Sequence, residues 1–201
     1  MTRVAVVRPG WTDFDEQHRI LGSLELPLNQ RGEVQVLALI SRLKELSLGL
    51  DVVLSGTGLP VKPTADAIGE ALGIDVRESE NLNNVNQGLW QGSSIEEIRR
   101  KTPRCFKQWE DAPETICPPE GEPWEAVIER VQQALKKPLR KFDSLVIVAS
   151  EPLATLVSSV LTGEPPDLSA AFPEEPRDPI VEVFESTGRD GEFKRRAEAD
   201  E

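Results

Sequence analysis

The chain has 201 residues, 38% hydrophobic and 29% charged, with 35 acidic against 23 basic side chains and a formal net charge of −12. That size and balance fit one globular domain with a proper core, and the acidic field excludes nucleic acid and anionic membrane surfaces as default partners. Two cysteines, Cys105 and Cys117, are too few for a disulfide framework, and no leader-like or membrane-spanning apolar run is present, so a cytoplasmic protein with reduced thiols is expected.

Val4 to Val7 is a continuous apolar run between Arg3 and Arg8-Pro9-Gly10, the pattern of a strand buried on both faces. Trp11 to Arg31 has no sustained periodicity and reads as a long loop. Val34, Leu37, Ile40, Leu43 and Leu46 recur at helical spacing, and a second strand follows at Asp51 to Leu54. Ser55-Gly56-Thr57-Gly58 breaks that strand, and a short helix runs through Ala65, Ile68 and Leu72 with Pro63 in its first turn. Ile74 to Val76 is a short third strand, and Ser94-Ile95-Glu96-Glu97 has the form of a capping box.

Lys101 to Pro123 holds five prolines and both cysteines and is expected to be an irregular insertion over the sheet edge, at about 101–123. A clear amphipathic helix then carries Trp124, Val127, Ile128, Val131 and Leu135. Leu145 to Ala149 is the strongest buried-strand run, Ser150-Glu151-Pro152 ends it, and a helix to Gly163 follows. Pro165 to Pro179 reads as a loop, Ile180 to Phe184 as the last strand, and the charged tail from about 194 as frayed.

The ordered residues resemble the histidine phosphatase superfamily, the group of the cofactor-dependent phosphoglycerate mutases. Arg8 to Thr12 resemble R-H-G-x-T, with Asp15 in the asparagine slot. Arg19 and Gly22 resemble R-x-x-G, and Glu25 to Asn29 with Gly32 and Gln35 resemble D-x-P-L-T-x-x-G-x-x-Q. Ser55 to Ala65, Leu82 to Gly92, Gly121 to Pro123 and Ser150 to Pro152 resemble four further family segments, so the likeness spans nearly the whole chain. It implies a three-layer α/β/α sandwich with a mostly parallel central sheet, over a single domain of residues 1–201.

The family's chemistry uses a histidine that attacks phosphorus, two arginines and a second histidine around the phosphoryl oxygens, and an acid that supplies a proton. Carried over residue by residue, the nucleophile slot is Pro9, the second arginine slot Pro60, the acid slot Asn84 and the second histidine slot Glu151; only Arg8 is kept. Proline cannot form a phosphoenzyme, and asparagine is no acid near neutral pH. A carboxylate about 4 Å from a phosphoryl oxygen costs roughly 4 kcal/mol at an effective dielectric of about 20. The degenerate-pocket positions are therefore Arg8, Pro9, Thr12, Asp15, Pro60, Asn84 and Glu151, none of them expected to be catalytically competent. Glu151 is expected to pair with Arg8 and close the pocket.

Other candidates have plainer readings. His18, the sole histidine, reads as a surface residue, and Asp13, Asp15 and Glu16 match no metal-ligand spacing. Cys117 lacks a basic neighbour to activate it. The Ser55–Gly58 turn lacks the lysine of a phosphate loop. Trp90, Trp109 and Trp124 could line a groove, although Trp124 sits on a core-facing helix side. No cofactor or metal is expected. The expected function is a catalytically inactive family member with a binding, regulatory or structural role toward a protein or small-molecule ligand. The alternative is a phosphoric ester hydrolase, or another hydrolase, using a repurposed pocket around Arg8 and Glu151.

Overall fold

The computed structural model describes residues 1–112, 117–168, 180–186 and 192–196. Strands β1 (Thr2–Val7), β2 (Val52–Ser55), β3 (Asp75–Glu78), β4 (Ser144–Val148), β5 (Val181–Ser186) and β6 (Phe193–Arg195) form one sheet in the order β3-β2-β4-β1-β5-β6. The first four are mutually parallel, while β5 runs antiparallel to β1 and β6 antiparallel to β5. Both faces of the sheet are covered, which is why β1 and β4 carry unbroken apolar runs rather than alternation.

The pleat divides those runs between two cores. Val4, Val6, Leu145 and Ile147 pack with helix α6 (Trp124–Lys136) and helix α8 (Leu153–Thr162) on one side. Ala5, Val7, Val146 and Val148 pack with α2 (Gln30–Glu45) and α3 (Val61–Leu72) on the other. This is the three-layer α/β/α sandwich with a mostly parallel sheet that the resemblance implies. A third, smaller core joins Ile20, Trp90, Ile98, Phe106 and Trp109 around helices α4 (Ile95–Lys101) and α5 (Pro103–Asp111).

Several expectations change. The stretch from Trp11 to Arg31 contains a short helix, α1 (Asp13–Glu16), opened by a capping box between Thr12 and Asp15. On α2 the buried face is Val36, Leu39, Ile40 and Leu43, whereas Val34 and Leu37 are 63% and 66% exposed. Strict three-residue spacing turns by about 60° per step on a helix of 3.6 residues per turn, so the expected set cannot share one side; the i, i+3, i+4, i+7 set can. Within 101–123, Pro103 opens α5, whose Phe106 and Trp109 are buried, so that part is helical. Residues 113–116 of the same stretch lie outside the described residues.

Toward the end of the chain, residues 193–195 form the edge strand β6 where fraying is expected, because Phe193 is buried against the α6 and α8 core. Residues 197–201 of the tail and 169–179 of the expected loop lie outside the described residues. Pro138 opens a separate short helix, α7 (Pro138–Lys141). Among the described residues no helix is long and apolar enough to cross a membrane.

Candidate functional site

Parallel β1 and β4 are neighbours, so the turns that follow them emerge side by side at the carboxyl edge of the sheet, where ligands of such folds bind. β1 delivers Arg8 there and β4 delivers Glu151. Gly10 follows at a close approach: a Cβ on it would meet the carbonyl oxygen of Gly32 at 2.2 Å, and one on Gly32 would meet that of Trp11 at 2.1 Å. The Trp11 N–H donates to Gln35 Oε1 at 3.0 Å, and the Arg31 guanidinium stacks 3.8 Å from the centre of the Trp11 ring. The backbone after β1 is thus seated on the first turns of α2, which fixes where Arg8 leaves the sheet.

The Arg8 side chain is held by two carboxylates. Its Nε donates to Glu151 Oε1 at 2.6 Å, Nη2 pairs with the same oxygen, and Nη1 donates to Glu182 Oε2 at 3.0 Å. The other Glu151 oxygen accepts from the Thr155 N–H at 3.2 Å and hydroxyl at 2.8 Å. Glu182, on β5 opposite Val6 and only 8% exposed, also pairs with Arg195 on β6. Arg8, Glu151, Glu182 and Arg195 together form a chain of two cations and two anions. Burial works to lower the Arg8 pKa, but Coulombic attraction to Glu151 and Glu182 and the hydrogen bonds to both together outweigh it and raise the pKa above the ordinary arginine value.

Asn84 stands behind Glu151. Its Nδ2 donates to the backbone oxygen of Gly22 at 2.9 Å and to that of Glu151 at 3.0 Å, so one amide ties together the loops that follow β1, β3 and β4. Its Oδ1 is buried without a partner. Arg130 on α6 fixes the Asn84 loop from below: it forms a fork with Glu122 at 2.7 and 2.9 Å and donates to the Asn81 and Asn83 carbonyl oxygens at 2.8 Å each.

Of the seven sequence-marked positions, Arg8, Asn84 and Glu151 meet in one hydrogen-bonded group. Pro9 is buried beside Arg8 and offers no donor or nucleophile. Thr12 and Asp15 are turned to each other: the Thr12 hydroxyl donates to Asp15 Oδ2 at 2.8 Å inside the α1 capping box. Pro60 is buried at the start of α3, its carbonyl accepting from the Thr64 hydroxyl at 3.1 Å. Sequence reading missed Glu182, Arg195, Thr155 and Arg130. The usable signal for Glu182 is a carboxylate with apolar residues on both sides in β5, and for Arg130 an arginine two turns beyond Glu122 on the core-facing helix.

Other candidates fall away or stay quiet. His18 is exposed. Trp90, Trp109 and Trp124 are 3%, 7% and 5% exposed, so they fill cores rather than line a groove; Trp90 and Trp109 meet edge to face at 6.1 Å. Cys105 and Cys117 are free thiols. No group of three or more metal-ligating side chains gathers among the described residues. A shallow cleft of about 80 Å³ opens beside Asn84, bounded by Leu24, Glu25, Leu59 and Asn83.

Comparison with known proteins places this geometry in context. The family model of the histidine phosphatase superfamily (branch 1) matches residues 4–190. Phosphoserine phosphatase 1 of Hydrogenobacter thermophilus is 27% identical over 151 residues, covering 75% of this chain and 71% of that protein. Probable phosphoglycerate mutase GpmB of Escherichia coli O1:K1 is 29% identical over 136 residues, covering 68% of this chain and 62% of that protein, less than two thirds of its length. Among solved structures, Bacillus stearothermophilus YhfR superposes with a TM-score of 0.81 at 24% identity, over 100% of this chain and 98% of that one. A mycobacterial glucosyl-3-phosphoglycerate phosphatase complexed with VO3 gives 0.81 at 21% identity, over 99% and 98%.

Proposed function

The chain belongs to the histidine phosphatase superfamily, and from that footing we propose that it is a member without the family's phosphotransfer chemistry, keeping the fold as a binding or regulatory module. The observation that carries this reading is the double seal on Arg8. A phosphoryl group reaching that guanidinium meets Glu151 and Glu182, whose contacts at 2.6 and 3.0 Å, with the Nη2 pairing, already engage all three of its nitrogens. Each carboxylate that stayed would repel it by roughly 4 kcal/mol at about 4 Å.

The remaining slots support the same reading. Pro9 cannot carry a phosphoryl group, and Asn84 uses its amide hydrogens on two carbonyls. The hydrolase reading draws support from relatives named as a phosphatase and a probable mutase. Against it, both oxygens of Glu151 are already engaged, and a base so occupied has no lone pair turned toward a water. A cytoplasmic setting, reduced thiols and a protein or small-molecule partner go with the proposal.

The test is turnover. Purified protein is expected to hydrolyse p-nitrophenyl phosphate and 3-phosphoglycerate no faster than its Arg8→Ala variant. Turnover at ordinary enzyme rates, abolished by Arg8→Ala, refutes the proposal.

A further inference from the structure

The cleft beside Asn84 carries a chemistry of its own. Leu24, Leu59 and Val61 give it an apolar lining, Gly22, Gly56 and Gly58 line it with backbone, and Ser23, Asn83 and Asn84 add neutral polar groups. Among the described residues no lysine or arginine lines it. The charge on its wall is Glu25, whose carboxylate lies 2.8 Å from where a Gly58 Cβ would stand and makes no ion pair among the described residues. Asn84 Oδ1 is a buried acceptor with no donor among the described residues, and Asn83 Oδ1 is already taken by the Thr57 N–H and hydroxyl at 2.7 and 3.1 Å. Arg8, the arginine kept from the family's phosphoryl-binding set, does not line the cleft and is paired with Glu151 and Glu182.

We propose that this cleft binds a small organic ammonium with an apolar body, the apolar part lying between Leu24 and Leu59 and the N–H donors meeting Glu25. The inference rests on reading the Arg8 position as closed to phosphate, and it adds a ligand class to that reading. A wall carboxylate without a compensating cation attracts positive charge and repels negative charge in the same place, so selectivity by sign follows from the lining. The volume, about 80 Å³, suits a fragment of a few heavy atoms rather than a drug-sized ligand. Leu24 and Leu59 are each 37% exposed, so apolar area remains there for a ligand to cover.

The matched probes are n-butylammonium and n-butyl phosphate, which share one apolar body and differ in charge. Titrated into the full chain and followed by backbone amide NMR, n-butylammonium is expected to give saturable millimolar shifts clustered at Gly22, Gly56 and Gly58, with n-butyl phosphate giving none there. Glu25→Gln should weaken the ammonium shifts at least fivefold, whereas Glu70→Gln, an equal loss of charge on exposed α3 surface, should leave them unchanged. Equal weakening by both variants means binding by net charge alone and overturns the proposal, as do phosphate shifts in the cleft or no shifts with either probe. The Arg8 Nε resonance is read in the same spectra. If it moves with n-butyl phosphate, the closed-arginine reading fails separately, whatever happens in the cleft.

Discussion

Arg8 Nε and Glu151 Oε1 are 2.6 Å apart although 143 residues separate them in the chain. The contact exists because β1 and β4 are parallel neighbours that end at the same edge, so the two turns meet whatever the intervening chain does. Removing the Glu151 charge should therefore be felt in stability and in anion binding together. Glu151→Gln is expected to lower stability by about 1–2 kcal/mol, less than for a fully buried pair because Glu182 still compensates Arg8, as measured by urea unfolding. Inorganic phosphate should perturb Arg8 Nε in that variant and not in the parent.

Asn84 is the loop tie that a carboxylate cannot replace. Asn84→Asp would set an acceptor-only group against the Gly22 and Glu151 carbonyl oxygens, so a loss of about 1–3 kcal/mol is expected near neutral pH. Protonating the new carboxyl restores one donor, so the deficit relative to parent should shrink as the pH is lowered. Paired urea titrations across that range check it.

Arg130 satisfies a carboxylate and two carbonyls while only 17% exposed. Arg130→Ala leaves all of them short of donors, and a destabilisation of about 2–4 kcal/mol is expected. Amide exchange at Leu82 to Val85 should accelerate before exchange in β1 or β4 does.

The Ser94 backbone N–H, helped by Arg19 and Lys101, holds the Glu97 carboxyl below the usual carboxylate range. A depressed folded-state pKa supplies stabilisation that is complete above the unfolded pKa and lost as the pH falls through the folded one. The Ser94 amide shift is accordingly expected to follow acid titration in the parent and to stay flat in Glu97→Gln, whose amide oxygen can keep the cap but does not titrate.

Burial, with the Glu122 and Glu125 charges nearby, pushes the Cys117 thiol up. The thiolate is the reactive form, so at pH 8 iodoacetamide should label Cys117 several-fold more slowly in the folded protein than in urea. A Cys105→Ser background isolates the signal in a mass-spectrometric time course.

Much of the framework is readable in advance because it depends on local pattern. Short, valine-rich runs such as Val4 to Val7 and Leu145 to Val148, ended by Pro9-Gly10 and Pro152, read as covered strands, and once their parallel neighbour relation is granted, the turns that carry Arg8 and Glu151 meet. What escapes is what depends on register. Glu182 looks like an ordinary polar residue of a last strand, and becomes a partner of Arg8 only because the antiparallel pairing sets it opposite Val6. Similarly, prolines and charges disguise α5, although Phe106 and Trp109 stand three apart behind a Pro103 suited to a helix start.

The place of β1 has a consequence for how the chain reaches this structure. Its two sheet neighbours are β4 and β5, and the ion pair it makes with Glu182 spans 174 residues. During synthesis β1 is made before both neighbours, so its two edges stay open until β4 and then β5 emerge. That apolar strand must therefore be shielded until both arrive, and its docking is a slow, long-range event rather than a local one.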